Sequence, residues 1–401
     1  MSKIKFLNLG SQPMANNYLK SQKPENEYFY KLNAVFDDEK KLVSLSEFVP
    51  PEMMFNETYA YRASMSLTMQ DANRKFSQKI KSKFNPKKIL EIGSNDGAFL
   101  KNFKNSTVIG VEPCKNLAKI TNSMNILTHD KFWNTPLSKI ILNESGQFDL
   151  IYSANTISHI HDLDDTFNAV DKVLENSGVF VLEDPSLLEI IKNVSYDQFY
   201  DEHAYVFSVS AINNLLMLTN LEIFDVEKTT THGGSNRIFI KKKTNNMSIL
   251  DSVKITLSEE EKFGINNFET YQKFSKKVEY SKKKLLDIFS KIKKDNNQII
   301  GYGATAKSCT VLNYCGINTN FIDYFIDTTK SKQGKFTPGT HIPIIKPGEK
   351  IDSHINFAYL GAWNFKKEIF NKEKDYLSRG GKFITHVPFP QVIWNIKLIT
   401  N

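Results

Sequence analysis

The run Ile89-Leu-Glu-Ile-Gly-Ser-Asn-Asp-Gly-Ala-Phe-Leu100 does more than any other to limit what this chain can become. It reads as a short apolar strand, a glycine turn and a helix start, the unit from which parallel α/β domains are built. Glycines there permit backbone torsions closed to other residues and let a ligand approach the main chain. The helix N-terminus that follows offers unpaired N–H groups. A second strand, Val108-Ile-Gly-Val-Glu112, ends on an acid, and one carboxylate suits the two hydroxyls of a ribose cis-diol.

Spacing selects among nucleotides. A dinucleotide fold asks for G-x-G-x-x-G after the strand, whereas this chain has Glu91-x-Gly93-x-x-x-Gly97. Glu91 and Asp96 would repel a pyrophosphate and attract an ammonium, which points to S-adenosylmethionine. On this reading Glu91, Gly93, Asn95, Asp96 and Gly97 surround the methionine end and Glu112 takes the ribose. Asp130 or Phe132, after the third strand, meets the adenine, and Ser153 and Asn155, after the fourth, complete the edge.

The expected fold class is α/β: a Rossmann-like class I methyltransferase domain, a second, smaller Rossmann-like C-terminal domain and a small irregular N-terminal domain. A length of 401 residues accommodates two or three domains. Residues 1–75 form the N-terminal piece, with a strand at Lys41–Leu45. Residues 76–250 form the cofactor domain, with strands at 88–92, 108–111, 125–128, 148–153 and 179–183, continuing through Arg237–Ile240. A connecting helix occupies 251–296, and its Lys-rich stretch carries Phe268, Tyr271, Val278, Leu285, Phe289 and Ile292 at helical spacing. In 297–401 the pattern restarts at Gln298-Ile-Ile-Gly301-Tyr-Gly-Ala-Thr-Ala-Lys307, then Phe321–Asp327 and Ile355–Leu360. Its G-x-G-x-x-A spacing suits phosphates, and Lys307 stands where it would reach a diphosphate.

The net charge of +8 raises the question of nucleic acid or an anionic membrane. Much of the excess sits on the solvated face of the connecting helix, with no basic groove interleaved with aromatics, so neither partner is expected. No apolar run spans a bilayer and Met1–Phe6 lacks a secretory core, which gives a cytoplasmic expectation. Cys114, Cys309 and Cys315 show neither a metal spacing nor an even disulfide set.

Phe199-Tyr-Asp-Glu-His-Ala-Tyr205 concentrates phenols, two acids and an imidazole just beyond the last sheet strand, on the edge where such sheets bind ligands. Imidazole is the side chain suited to moving protons near neutral pH. His159 and His161 follow the fourth strand at the same edge. They lack an obvious third ligand for a metal, and His159 reads better as a substrate contact. His232, before Gly233-Gly234, reads as part of a tight turn.

Taken in order, these segments resemble the bacterial sugar C-methyltransferases of the deoxysugar pathways. The likeness runs through Leu9–Asn16, Pro51–Phe55, Tyr59–Ser64, Glu91–Gly97, Asp197–His203, His232–Arg237, Gly301–Lys307, Asn313–Gly316 and Lys332–Pro343. The resemblance implies methyl transfer from S-adenosylmethionine to a ring carbon of a nucleotide-linked keto sugar. It places Tyr200, Glu202 and His203 at the reacting centre with His203 as base, adds His159 and Tyr59 to the pocket, and has the C-terminal domain hold the nucleotide-sugar. Tyr61, Arg237, Tyr302, Lys307 and Lys332 are the candidate substrate contacts. The expected mechanism removes the proton at C3 beside a C4 carbonyl, with Glu202 holding the imidazole and Tyr200, Tyr59 or His159 facing the enolate oxygen.

The chain departs from the family at one point. The four N-terminal cysteines that bind a structural zinc there have no counterpart around Phe36–Lys41, so no zinc or other metal is expected. Rival readings are a sugar O-methyltransferase, a nucleotide-sugar binding subunit without turnover, and an NAD-dependent oxidoreductase using Gly301–Ala306 with Asp323 or Asp327 on the ribose.

Overall fold

The computed structural model describes residues 3–348 and 350–394. The chain starts as an antiparallel meander of β1 (Lys3–Pro13), β2 (Phe29–Asp37) and β3 (Leu42–Leu45). Tyr30, Leu32, Ala34 and Phe36 recur at every second position of β2, and all are buried, the period that a half-buried strand demands.

Alternation then produces β4 (Lys88–Ile92), β5 (Thr107–Val111), β6 (Leu127–His129), β7 (Phe148–Ala154) and β8 (Leu174–Pro185), with helices between them. After β8 the chain passes through the Tyr200–His203 segment and returns as β9 (Tyr205–Val206). The hairpin β10 (Leu221–Thr229) and β11 (Ser235–Lys242) follows. The central sheet has the order β10-β11-β8-β7-β4-β5-β6, parallel from β8 to β6, with β11 antiparallel to both its neighbours. Leu90, Ile92, Ile109, Val111, Ile151, Phe180 and Leu182 are buried in one cluster, as strands covered on both faces require.

The expected single connecting helix is two, Asp251–Phe263 and Phe268–Lys294. Gly264 caps the first at φ 84°, a left-handed conformation that glycine adopts without a Cβ penalty. The second helix is more than a connector. Its Tyr271 stacks on Phe36 at 4.6 Å, and its buried stripe shares one core with Ile299, Phe325 and Tyr359.

The C-terminal sheet comprises β12 (Ile299–Tyr302), β13 (Phe325–Ile326), β14 (Ile344–Ile345), β15 (Phe357–Leu360), β16 (Lys382–Thr385) and β17 (Gln391–Ile393). Its order is β14-β13-β12-β15-β16-β17, and only β17 runs antiparallel to its neighbour. After β12, Thr305 and Ser308 form a reciprocal cap on helix Ala306–Cys315. Between 321 and 327 only Phe325–Ile326 pairs as a strand.

Two contacts position the site. β9 pairs with β3, so the N-terminal sheet takes its fourth strand from immediately after His203. Leu19 bridges Phe336, tying the N-terminal lobe to the C-terminal one. Among the described residues, no helix is long and apolar enough to cross a membrane.

Candidate active site

The carboxyl ends of β4, β5, β7 and β8 open into a cavity of about 520 Å³, walled on its far side by Thr305–Lys307 of the C-terminal lobe. Gly93 begins the cradle at φ 76°, and a Cβ there would stand 2.0 Å from Thr156 Oγ1, so glycine is a steric requirement. Glu112 accepts the backbone N–H groups of Asn95 and Cys114, each at 2.9 Å, and its buried carboxylate lines the cavity. Glu91 lines it too. Burial, with the charges of Glu112 and Asp96 adding to it, pushes its carboxyl well above the usual carboxylate range, and its Oε2 has no partner. Phe132 and Asn155, the latter at φ 50°, complete this half with Tyr61.

Four cofactor assignments, Asp96, Gly97, Ser153 and Asp130, need correction, since none of the four lines the cavity. The Asp96 carboxylate turns away from the cavity, accepting the Ser64 backbone N–H at 3.2 Å and its hydroxyl, with Arg62 Nε at 3.6 Å. Asn95, although it lines the cavity, joins in by accepting from Ala63 N at 2.8 Å, so the two side chains pin the 61–64 strap. Gly97 at φ 75° faces the Thr121 and Met124 side chains. Ser153 donates to the Ile92 carbonyl at 3.0 Å. Asp130 is exposed, and Phe132, Trp133 and Asn134 form the wall in its place.

On the other side of the cavity Tyr59, His159, Tyr200, Glu202 and His203 come together. His203 Nδ1 lies 2.7 Å from the Gln198 carbonyl oxygen. A carbonyl can only accept, so Nδ1 carries the proton and Nε2 keeps a free lone pair. Tyr200 packs against the ring at 4.2 Å and His159 stacks at 5.3 Å. Burial, then the neighbouring His159 and Lys307, holds His203 well below the usual imidazole range, so it is neutral at neutral pH. Burial likewise takes His159 to about 3, and its Nε2 has no partner.

Glu202 does not touch the imidazole, contrary to expectation. Its Oε1 accepts from Asn16 Nδ2 at 2.6 Å and its Oε2 from the Tyr59 hydroxyl at 2.9 Å. The imidazole is held instead by the Gln198 backbone, a role without a side-chain signal in sequence. Burial raises the Glu202 carboxyl, against the bonds from Asn16 and Tyr59.

The substrate candidates divide. Arg237 Nε is 2.6 Å from Glu183, which also accepts from Thr231 and Tyr152, and the guanidinium lies 3.9 Å over the Phe76 ring. Lys332 donates to the Ala304 carbonyl at 2.7 Å, beside Asp327 at 3.7 Å. Both cations line the cavity with their charge already engaged. Tyr302 does not line it: its hydroxyl donates to Glu373 at 2.7 Å and its ring packs on Phe383. Lys307 lines the cavity with Nζ buried and without any hydrogen-bond partner. His232, read from sequence as turn geometry, also lines it at φ 53° with Nε2 unpartnered. Asp327 accepts the Ala304 and Thr329 N–H groups at 2.9 Å and 2.8 Å.

Three family models match the chain in succession: a putative zinc binding domain over residues 1–55, a methyltransferase domain over 61–226 and a C-methyltransferase C-terminal domain over 230–388. Residues 1–55 contain neither cysteine nor histidine, so the thiolate and imidazole donors of a zinc site are not there to be arranged. Among the described residues no group of three or more His, Cys, Asp or Glu is placed to hold a metal ion.

An S-adenosylmethionine-dependent methyltransferase from Clostridium acetobutylicum is similar at 17% identity, covering 43% of this chain and 92% of its own, with a TM-score of 0.35. The PH0226 protein from Pyrococcus horikoshii shares 16% identity over 49% of this chain and 100% of its own, with a TM-score of 0.37. The C-methyltransferase NovU from Streptomyces niveus is 30% identical over 397 residues, 97% of this chain and 94% of that protein. With that likeness along its whole length and methyltransferase domains in the same order, the chain belongs to the S-adenosylmethionine-dependent C-methyltransferases.

Proposed function

We propose that the carbon methylated is C3 of a nucleotide-linked 4-keto sugar, activated as its enolate. The observation that carries this reading is His203: a neutral imidazole, with Nδ1 bound to a backbone carbonyl and Nε2 free, in the same cavity as the cofactor cradle. An unactivated ring carbon is no nucleophile. A carbon beside a carbonyl becomes one when a positioned base removes its proton.

Bound S-adenosylmethionine supplies an electrophilic methyl group. The chain's part is to hold the two reactants at attacking distance in a cavity closed by three lobes. Glu91, Gly93 and Glu112 form the cofactor side. His203 Nε2 takes the C3 proton, and Tyr59, with Glu202 and Asn16 fixing its hydroxyl, borders the sugar with His159 and Tyr200. The C-terminal turn Thr305–Lys307, with Asn364 and Phe365, closes the side from which a nucleotide would enter. The N-terminal lobe, on this reading, stands without zinc on its own core of Leu7, Leu9, Leu32, Phe36, Val43 and Leu45.

The test uses methyl-labelled S-adenosylmethionine with dTDP-, GDP- and CDP-linked 4-keto sugars. Carbon-bound label at C3 of the product is the expected result. Label on oxygen or at another carbon, or no turnover with any keto sugar, refutes the assignment.

A further inference from the structure

We propose that Lys307 is a catalytic residue of the methyl transfer, its ammonium facing the substrate carbonyl oxygen and holding the negative charge that develops there. The proposal rests on the enolate reading above. It departs from the sequence expectation that Lys307 reaches a diphosphate.

A charge census of the cavity carries the argument. Six acids line it, Glu52, Glu91, Glu112, Asp162, Glu183 and Glu202, of which Glu91 keeps its proton through burial, against three cations, Arg237, Lys307 and Lys332. Arg237 is paired with Glu183, and Lys332 is engaged by the Ala304 carbonyl and Asp327. One ammonium remains. A diphosphate would bring at least two negative charges to that single cation within a wall of acids, whereas one developing oxyanion matches it. A buried ammonium without a hydrogen-bond partner is costly unless a ligand supplies the acceptor.

Position supports the same conclusion. Lys307 stands in the first turn of a helix whose entry is fixed by the Thr305 cap, with Nζ 5.7 Å over the Trp363 ring. The acid that biases it, Asp197, is engaged by Trp363 Nε1 at 2.5 Å and His386 Nε2 at 3.3 Å. The charge of Lys307 also reaches His203 and His232, lowering the proton affinity of both. Burial lowers its own pKa to about 8, which leaves it mostly charged at neutral pH. The ammonium therefore adds to the burial that keeps His203 in its basic form before reaction, and stabilises the anion that His203 creates.

The step balances. The C3–H bond breaks and its proton goes to His203 Nε2. The bonding pair becomes the C3–C4 π bond as the carbonyl π pair moves to oxygen, beside Lys307. Carbon then forms the bond to methyl, the C–S pair remains on sulfur, and the oxygen pair restores the carbonyl.

Lys307→Met is tested with whichever dTDP-, GDP- or CDP-linked 4-keto sugar the wild type turns over. The expected result is a loss of about 10²- to 10³-fold in kcat with KM within threefold. Exchange of the C3 hydrogen with deuterated water, without methyl donor, should fall in parallel, and the acid limb of the pH profile should move upward. Should the Met variant fail to fold, Lys307→Gln, which keeps a polar head beside Asp197, gives the same readouts. A tenfold or larger rise in KM with kcat preserved would make Lys307 a diphosphate hook and overturn the proposal. Unchanged exchange would overturn it as well and make the lysine structural. A wild type that neither exchanges nor methylates any keto sugar removes the enolate reading and this one with it.

Discussion

Glu91→Gln isolates what the acid before the glycine turn contributes. The Glu91 carboxyl is buried, Oε2 lacks a partner, and burial with the Glu112 and Asp96 charges holds its proton on well above the usual range. An incoming ammonium reverses that preference. A hydrogen bond between two charged groups contributes about 1.5–3 kcal/mol, which converts to roughly 10- to 140-fold in affinity. The full difference between wild type and Gln variant appears only above the pKa of the empty site. Below it, the wild type must first release the proton, and its advantage shrinks about tenfold per pH unit. Calorimetry from pH 6 to 9 in two buffers of different ionisation enthalpy reads both quantities: the wild type should release close to one proton on binding S-adenosylmethionine, the variant none from this site. Stability without ligand should move the opposite way. A carboxyl whose folded pKa is raised keeps a proton that the unfolded chain has lost, so stability falls as pH rises from the unfolded pKa through the folded one, and the Gln variant escapes that fall. Affinities within twofold of each other across the range, with equal proton release, would refute the reasoning.

His203→Asn should lower methyl transfer by about 10²- to 10⁴-fold while S-adenosylmethionine affinity, by calorimetry, stays within twofold; full activity would move the base to another group. Gly93→Ala should weaken cofactor binding at least tenfold, because its Cβ meets Thr156 Oγ1 at 2.0 Å, and Gly97→Ala should cost less, because its Cβ meets only movable side-chain ends at 3.0 Å and 3.1 Å. Equal losses in the two variants would contradict that placement. Elemental analysis after dialysis should find no stoichiometric zinc; one retained equivalent would show a ligand set that residues 1–55 do not supply.

What could be read from sequence was local. Strand period, glycine spacing and caps are decided within a few residues, and β4, β5, β7 and the capped helix after β12 lie where the spacing put them. Partner choice was not legible, because it depends on what tertiary structure brings alongside. Glu91 and Asp96 are both acids beside glycine, yet one points into the cavity and the other binds a strap from 32 residues earlier in the chain. Glu202 is adjacent to His203 in sequence, but neighbours on an irregular segment need not face each other, and its bonds go to Asn16 and Tyr59. Lys332 and Lys307 look alike as lysines near a glycine turn; only the folded chain shows that one is engaged and the other is not.

The same dependence ties the N-terminal lobe to the chemistry. β9 begins two residues after His203 and completes the sheet of β1, β2 and β3, and Leu45 N donates to the Ala204 carbonyl at 2.8 Å. The imidazole is thus held by the Gln198 carbonyl, and the backbone that carries it runs directly into a strand of that sheet. Asn16 reaches Glu202 from the same lobe, and Ala15 N donates to Asp201 at 3.0 Å. A change that loosens the meander should therefore disturb proton transfer at His203 before it disturbs the cofactor cradle, whose Gly93 and Glu112 are held by backbone bonds within the central sheet and its loops.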